Sequence, residues 1–278
     1  MKTNKQVIQN TKLNFKPAFA GLKSVDIFAH QYPIEPFLVF TEYLMDKPVF
    51  GPHPHAGVSV MTYMLPDSKN SFINRDSFGD MSEIEPGGVH ISQAGKGLQH
   101  DEFPKITGIE AHGFQIWINH ADKDRLVSPK AIHAKPNEVP EDITEDYKVR
   151  IIHGEFNQQH SQYQMVTNVN LLHVYLNAGK SIALDAQEMA FIYSLNGNGD
   201  VDRNPILAQS IVNFSTEGNQ IVVNGGENGL EFMFGTGVPH NEPITYGGPF
   251  VMTTPEQMAD TKRRFGRGEM GELLPFRG

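Results

Sequence analysis

Two pairs of possible metal ligands lie in the first half of the chain, each with one residue between its members. The first pair is His53 and His55 in "FGPHPHAG" (50–57), where one proline precedes the pair and another separates its members. Proline fixes its own φ and favours an extended conformation in the residue before it. Side chains at i and i+2 of an extended segment share a face, so both imidazoles should point the same way. On its own, such a pair is more often solvated surface than a metal site, so it needs partners.

The second pair is His100 and Glu102 in "GLQHDEFP" (97–104). In a strand these two side chains share a face, and Asp101 points away. Facing segments would bring three imidazoles and one carboxylate together, a donor set that suits a divalent transition metal. Such ions often take more ligands than these four, which leaves positions open for chemistry. The set suits iron, manganese, nickel, copper or zinc about equally, so it does not identify the ion.

Other chemistry-bearing side chains have simpler interpretations. His90 is interpreted as a surface strand residue, with a role beside the metal ligands as the alternative, and His112 and His120 as polar strand ends. Trp117 and Tyr63 could line a pocket, although aromatic strand residues are usually core. The chain has no cysteine, which excludes disulfides, thiolate metal sites and a cysteine nucleophile. No nucleophile elbow, phosphate-binding loop or dinucleotide fingerprint occurs.

The elements that must position these residues are strands, because short alternating runs recur with turns between them. The runs are "PFLVF" (36–40), "VSVMTYML" (58–65), "HGFQIWIN" (112–119), "YKVRIIHG" (147–154), "LLHVYLN" (171–177), "MAFIYSL" (189–195), "SIVNF" (210–214), "QIVVNG" (220–225) and "LEFMFGTG" (230–237). Glycine and proline separate them at "EPGG" (85–88), "AGKG" (94–97), "NGNGD" (196–200) and "NGGENG" (224–229). This pattern predicts an all-β fold of sandwiches or barrels.

The chain exceeds the usual size of one compact domain, so two domains are expected. The segment 128–146 is rich in proline and acidic residues and poor in strand pattern, which makes it the best linker. We place the boundary near residue 140, which gives domains 1–140 and 141–278. The second half lacks an H-x-H pair, so we interpret it as a scaffold or partner domain without metal. Its histidines are scattered, at His153, His160, His173 and His240.

One short helix is predicted near the C-terminal end of the chain. Thr254 can cap it, Pro255 suits its first position, Gln257 completes a capping box and Gly266 stops it. The locally basic stretch 262–267 falls in its last turn, where cations suit the helix dipole.

The overall charge and hydropathy exclude several partners. The formal net charge is −9 and the basic residues are spread out, which argues against binding to nucleic acid or an anionic membrane. No run approaches the roughly 18 apolar residues of a membrane span. The stretch "MKTNKQVIQNTKLNF" has no apolar core of a secretory signal. We therefore expect a cytoplasmic protein and a monomer.

Four stretches resemble the pirins, a family of the cupin superfamily. They are "HPHAGVSVMTYML" (53–65), "RDSFGDMSEIEPGGVHISQAGKGLQHDEFP" (75–104), "HGFQIWIN" (112–119) and "EPITYGGPFVMTTPEQM" (242–258), in the family's order. The resemblance implies a bicupin, two tandem antiparallel β-barrels with metal in the first only. It also implies that His53, His55, His100 and Glu102 are the metal ligands.

The resemblance implies Fe(II) as the first choice of ion, with Ni, Mn, Cu, Co and Zn as alternatives. The chain departs from many pirins at Ser59, where they carry glutamate, and at Ala56, where they carry arginine. These departures put the outer pocket, not the metal, in doubt.

The resemblance implies two classes of function. Some pirins are quercetinase-type flavonol 2,4-dioxygenases, which open the central ring of quercetin with O2 and release carbon monoxide. In that class Glu102 would act as ligand and as acceptor of the substrate's proton. Others are iron-dependent regulators that bind transcription factors or metabolic enzymes. The acidic charge makes a protein partner more plausible than DNA, and the enzyme is the favoured interpretation.

Overall fold

The computed structural model describes residues 2–276, and antiparallel strands make up most of them. The strands of the first half are β1 Val7–Lys12, β2 Lys16–Phe19, β3 Leu22–Phe28, β4 Phe37–Met45, β5 His53–His55, β6 Val58–Met64, β7 Phe72–Asp76, β8 Met81–Ile84, β9 Val89–Gln93, β10 Leu98–Pro104, β11 Ala111–Asn119 and β12 Lys130–Ala134. Those of the second half are β13 Glu141–Ile143, β14 Tyr147–His153, β15 Glu155–Phe156, β16 Gln159–His160, β17 Val169–Leu176, β18 Ser181–Asp185, β19 Met189–Val201, β20 Asn204–Leu207, β21 Ser210–Phe214, β22 Gln220–Gly237, β23 Thr245–Gly247 and β24 Phe250–Met252. Short 3₁₀ turns lie at Asp122–Asp124 and Pro136–Glu138, and the α-helix α1 is Pro255–Gly266.

The first half consists of two sheets packed face to face. A seven-stranded sheet runs in the order β12-β9-β6-β11-β4-β3-β2, and a four-stranded sheet in the order β5-β10-β7-β8. Between them lies an apolar cluster that joins Tyr43 and Met64 of the larger sheet to Phe72 and Ile84 of the smaller one. The two sheets therefore meet through side chains, and the smaller sheet carries both predicted ligand pairs.

The second half is built on a nine-stranded sheet in the order β1-β21-β19-β22-β17-β14-β13, with β18 on β22 and β20 on β19, and two small sheets, β15-β16 and β23-β24, accompany it. The pairing of β19 with β22 shifts register between Ser194 and Asn196 and between Gly197 and Gly199. Such bulges increase the local bend and twist, so the long strands curve around an apolar core. Among residues 2–276 the strand pairing closes into no ring. The predicted all-β fold is confirmed, with open sheets in place of closed barrels.

The two halves share an apolar core where they meet. The ring of Phe40 packs with its centroid 5.0 Å from that of Phe114 and 5.1 Å from that of Phe191 in the second half. Tyr193 lies against both first-half rings, at 6.0 and 6.1 Å. Close packing of large aromatic side chains contributes strongly to burial energy, so the halves form one packed unit.

The two ends of the chain each cross to the other half. Strand β1 pairs with β21 of the second sheet. Near the other end, Phe250 forms a bridge with Ala56, and the Val251 amide donates to the Ala56 carbonyl at 3.0 Å. The boundary near residue 140 stays a prediction. Strand pairs at both ends of the chain cross this boundary, because β1 pairs with β21 and Phe250 bridges to Ala56.

The helix forms as the sequence predicts. The Thr254 hydroxyl accepts from the Gln257 amide at 3.2 Å, and the Gln257 side-chain oxygen accepts from the Thr254 amide at 3.1 Å, which completes the capping box. In the last turns Arg263 and Arg264 pair with Asp260. No helix in residues 2–276 has the length and apolarity needed to cross a membrane.

Gly57 lies directly after the first histidine pair, where the backbone passes close to that of Val251. Its φ is +76°, and a Cβ there would overlap the carbonyl oxygen of Val251. We expect Gly57→Ala to lower the free energy of unfolding by about 3 kcal/mol or more, since backbone strain and a clash with backbone add together. Gly79→Ala is the matched control, because Gly79 has φ +98° but open space around it. Its expected loss is about 1 kcal/mol. Equal losses in urea unfolding would show that the contact with Val251 is unimportant.

Candidate metal centre

The two predicted ligand pairs lie on neighbouring strands. Strands β5 and β10 are antiparallel, with His53 directly opposite His100 and His55 opposite Leu98. His55 and His100 are buried, and His53 is half-buried. The prolines on either side of His53 keep this short strand extended, so both of its imidazoles face the same side as His100.

The three histidines form a compact cluster. One ring nitrogen from each lies within 4.8 Å of the others. Among residues 2–276, these three histidines are the group of possible metal ligands whose ligand atoms lie this close together. The ring centroids are 4.7 Å apart for His53 and His100, and 4.9 Å apart for each of the other two pairs. Three imidazoles at such spacing can converge on a single ion.

Hydrogen bonds orient two of the three rings. His53 Nδ1 donates to the Gly51 carbonyl at 2.9 Å, and His100 Nδ1 lies 3.2 Å from the Asn74 side-chain oxygen. These contacts leave Nε2 of each ring free to bind an ion. Oxygen partners on the outer nitrogen are typical of metal-ligating histidines. His55 Nδ1 is buried and has no hydrogen-bond partner among the described residues, so this ring also has capacity for a ligand bond.

Burial keeps all three imidazoles neutral near pH 7. Burial, together with the neighbouring histidines, lowers the pKa of His55 to about 3 and that of His100 well below its usual value. Burial also lowers the pKa of His53, although the Gly51 carbonyl opposes this. A metal binds only the neutral form of histidine, so the cluster fits a resident divalent ion without prior loss of protons.

Glu102 lies beside the histidine cluster, but it is not one of the residues whose ligand atoms all lie within 4.8 Å of one another. Its side chain is buried and lines the same cavity, and its Oε1 accepts a hydrogen bond from the Thr62 hydroxyl. Burial raises the pKa of this carboxyl to about 7, although hydrogen bonds from Thr62 and Gln115 oppose the shift. Its role as a fourth ligand stays a prediction.

The cluster forms one wall of a cavity of about 440 Å³. Trp117 packs edge-on against His55 with centroids 4.8 Å apart, and Phe72 and Tyr43 line the interior. Phe19 and Phe50 are exposed at the outer side and contact each other edge to face, with centroids 5.6 Å apart. Aromatic rings thus make up a large part of the lining, beside the three histidines.

The cavity also has a polar group on strands β3 and β4. The carboxylate of Asp26 accepts hydrogen bonds from the hydroxyls of Ser24 and Thr41, each at 2.9 Å. All three residues line the cavity.

Some residues lie where the sequence did not place them. His90 is buried, not on the surface, and its Nε2 lies 3.5 Å from the Ser92 hydroxyl, which in turn lies 3.4 Å from His100 Nδ1. The alternative interpretation, a supporting role beside the ligands, fits this position. His120 is also buried, with its Nε2 2.9 Å from the Ser59 hydroxyl. Ser59 and Ala56, the two departures from the pirin pattern, are absent from the cavity lining.

Asn74 and Ser92 are site residues that the sequence analysis missed. Asn74 lies between Phe72 and Asp76 on the buried face of an alternating strand, so a buried amide in that pattern was the available signal. Trp117, one of the possible pocket residues, does line the cavity. Tyr63 is a core residue whose hydroxyl lies 2.9 Å from His173 Nδ1.

Comparisons with known proteins agree with this fold. The chain is 30% identical over 283 residues to a pirin-like protein of Arabidopsis thaliana, covering 93% of this chain and 90% of the relative. A crystal structure of quercetin 2,3-dioxygenase from Acinetobacter baumannii superposes with a TM-score of 0.88 at 24% identity, covering 98% of this chain and all of the other. A nickel(II) complex of a bacterial pirin from Escherichia coli superposes with a TM-score of 0.66 at 16% identity, covering 84% and 100%.

Family models match both halves. Residues 8–118 match the pirin model, and residues 171–271 match the model of the pirin C-terminal cupin domain. Together these matches cover well over half of the chain and include the histidine cluster. The chain therefore belongs to the pirin family.

Proposed function

We propose that the chain is a metal-dependent dioxygenase that opens the central ring of a flavonol such as quercetin with O2 and releases carbon monoxide. The observation that carries this proposal is the cluster of three neutral imidazoles at one end of an aromatic cavity, with Glu102 beside it. A volume of about 440 Å³ falls within the roughly 300–1,000 Å³ of small-molecule sites. The name of the Acinetobacter baumannii protein, which has the same fold, supports the choice of substrate.

The ion that we propose is Fe(II), with Ni, Mn, Cu, Co and Zn as alternatives. His53, His55 and His100 would hold it, and Glu102 would be the fourth ligand. When bound there, such an ion lowers the pKa of a hydroxyl that coordinates it and makes the electron-rich substrate reactive toward O2.

The protein's own groups bind and orient the substrate. Trp117 and Phe72 line the cavity where a flat ring system would lie, and they exclude water from the reacting end. Phe19 and Phe50 cover its outer side. Asp26 offers carboxylate oxygens that can accept hydrogen bonds from hydroxyls on the ring farthest from the histidines. This arrangement selects a planar polyphenol with donors at both ends.

In this proposal Glu102 receives the proton of the substrate hydroxyl that faces the histidines. The Thr62 hydroxyl donates to its Oε1 and fixes the carboxylate, which can then accept the proton. A carboxylate within two residues of a histidine ligand, on the same face of the same strand, needs no movement of the backbone to reach that hydroxyl.

Metal-loaded protein is expected to consume O2 and release carbon monoxide when quercetin is added, because substrate, ion and proton acceptor then meet in one cavity. Chelated protein should be inactive, and reloading with each of the six ions separately should identify the one that supports turnover. Oxygen uptake with an electrode and carbon monoxide detection by haemoglobin binding measure this. Fully loaded protein that binds metal but neither consumes O2 nor releases carbon monoxide would contradict the enzyme and favour the regulator.

A further inference from the structure

The second half of the chain contains a cavity of its own, of about 790 Å³. It lies between the β15–β16 hairpin, the end of β14 and the start of β17, with β18 on another side. None of its lining residues belongs to the aromatic cavity of the first half. Because this half lacks the histidine cluster, the cavity needs a different explanation.

A buried histidine with one unused nitrogen lines this cavity. His153 is 4% exposed, and its Nδ1 donates to the Val169 carbonyl at 2.8 Å. Its Nε2 is buried and has no hydrogen-bond partner among the residues that the structure describes. With Nδ1 engaged, Nε2 is the nitrogen left to meet a molecule in the cavity. Buried polar atoms in native proteins are almost always satisfied, so this atom points to a ligand or an ordered water.

A β-bulge places this imidazole. The pairing of β14 with β17 shifts register between Ile151 and His153, so Ile152 is the extra residue. Ile151 packs into the core of the second half and Ile152 into the core shared by both halves, while His153 turns toward the cavity. Bulges often re-aim a side chain next to a functional site.

The protonation state of the His153 imidazole determines which groups it can bind. Burial lowers the pKa of His153, although its hydrogen bond to the Val169 carbonyl opposes the shift. The ring is therefore neutral near pH 7, with the proton on Nδ1 and a lone pair on Nε2. Such a nitrogen accepts a hydrogen bond from a hydroxyl or an N–H group.

The rest of the lining mixes apolar and polar side chains, and the carboxylate of Glu155 disfavours an anionic ligand. Exposed side-chain amides come from Gln158, Gln164 and Asn168. The lysine of the lining, Lys2, pairs with Asp185 at 2.6 Å, so no free cation faces an anionic ligand. The ring of Tyr163 adds an apolar face 5.8 Å from His153, measured between centroids. Amide groups beside an aromatic face suit a molecule with many hydroxyls on an apolar ring.

We propose that this cavity is a second binding site, separate from the metal centre, for a neutral polyhydroxylated small molecule such as a sugar of one or two rings. A hydroxyl of the ligand donates to His153 Nε2, and the rim amides bind the others. Tyr163 packs against the C–H face of the ring. The site needs no metal and takes no part in the proposed oxidation.

Glucose, maltose and myo-inositol are the probes, each titrated in the millimolar range while saturation-transfer NMR and the melting temperature are followed. At least one should show saturation transfer and raise the melting temperature, with and without chelator. His153→Phe keeps an aromatic ring but removes the acceptor, so it should weaken binding about fivefold to tenfold, the value of one hydrogen bond.

The double variant Gln164→Leu/Asn168→Leu provides a second test that leaves the core untouched, and it should weaken binding by at least the same factor. Gln6→Leu is the matched control, since Gln6 is an exposed amide outside the cavity. No saturation transfer from any of the three probes would overturn the proposal. Binding that is equal in the parent protein and the double variant would also overturn it.

Discussion

Substitution of His55 by alanine is expected to abolish metal retention and quercetin turnover together. His55 is buried and in contact with His53, His100 and Trp117, so its loss removes one of the three ring nitrogens of the cluster. Groups that merely orient a ligand are worth roughly 10–100-fold in metal affinity, so loss of a ligand should cost more than about 100-fold. Metal content after desalting, measured by mass spectrometry, and titration calorimetry with Fe(II) or Ni(II) give the affinity.

The control for this variant is His160→Ala, an exposed histidine of the second half. It should retain metal and turnover at the parent level. The His55→Ala protein should remain folded, because removal of one neutral imidazole leaves no buried charge without a partner. Circular dichroism and the melting temperature check this. If His55→Ala retained one ion per chain and full turnover, the histidine cluster would not be the metal centre.

Substitution of Glu102 by glutamine is expected to separate chemistry from metal binding. Glutamine keeps the shape, and its single oxygen can either face the ion or accept from Thr62, but it cannot accept a proton. Turnover of quercetin should fall by about 10²–10⁴-fold, the usual value of a positioned proton acceptor. Metal affinity should fall by about tenfold at most, since the three histidines remain. Steady-state oxygen uptake and calorimetry on the same preparation provide both numbers.

Glu83→Gln is the matched control for this carboxylate. Glu83 lies in the same four-stranded sheet, pairs with Lys105 and does not line the cavity. Its turnover and metal affinity should match those of the parent. If Glu102→Gln lost metal and activity in parallel, Glu102 would act as a ligand alone and the proton would leave by another route.

The histidine cluster was accessible from the sequence because its information is local. The prolines around His53 and His55 define an extended backbone, and alternation along a strand does the same for His100 and Glu102. The structure brings the three imidazoles together as those rules imply. The position of Glu102 just outside the closest group depends on the pairing of β10 with β7 and on Thr62 from the other sheet, which no local rule provides.

The cavity walls could not be predicted for the same reason. Phe19 on β2 and Asp26 on β3 lie in the same seven-stranded sheet as Trp117. Their distance from the histidines, which lie on the smaller sheet, is set by the packing of the two sheets. The alternating pattern around His90 predicts a surface strand residue. In the structure it lies between β6 and β12 and is covered. Burial of a strand follows from its neighbours, which alternation does not reveal.

The fold class and the helix were predictable, but the crossing of the chain ends was not. Strand β1 alternates between half-buried and exposed residues, a weak pattern that gives no indication of its partner. The pairing of β1 with β21 joins segments from opposite parts of the sequence, and such contacts are governed by topology rather than by propensity.

The contact between Val251 and the Ala56–Gly57 turn has a consequence for how the protein is made. The histidine pair is translated early, but the strand that supports the following turn is translated only after every strand of the large second sheet. During synthesis on the ribosome, the turn after His53 and His55 therefore lacks its contact with Phe250 and Val251 while the second half forms. We expect acquisition of the ion to be a late, post-translational event, and nascent chains stalled before residue 250 should retain no metal.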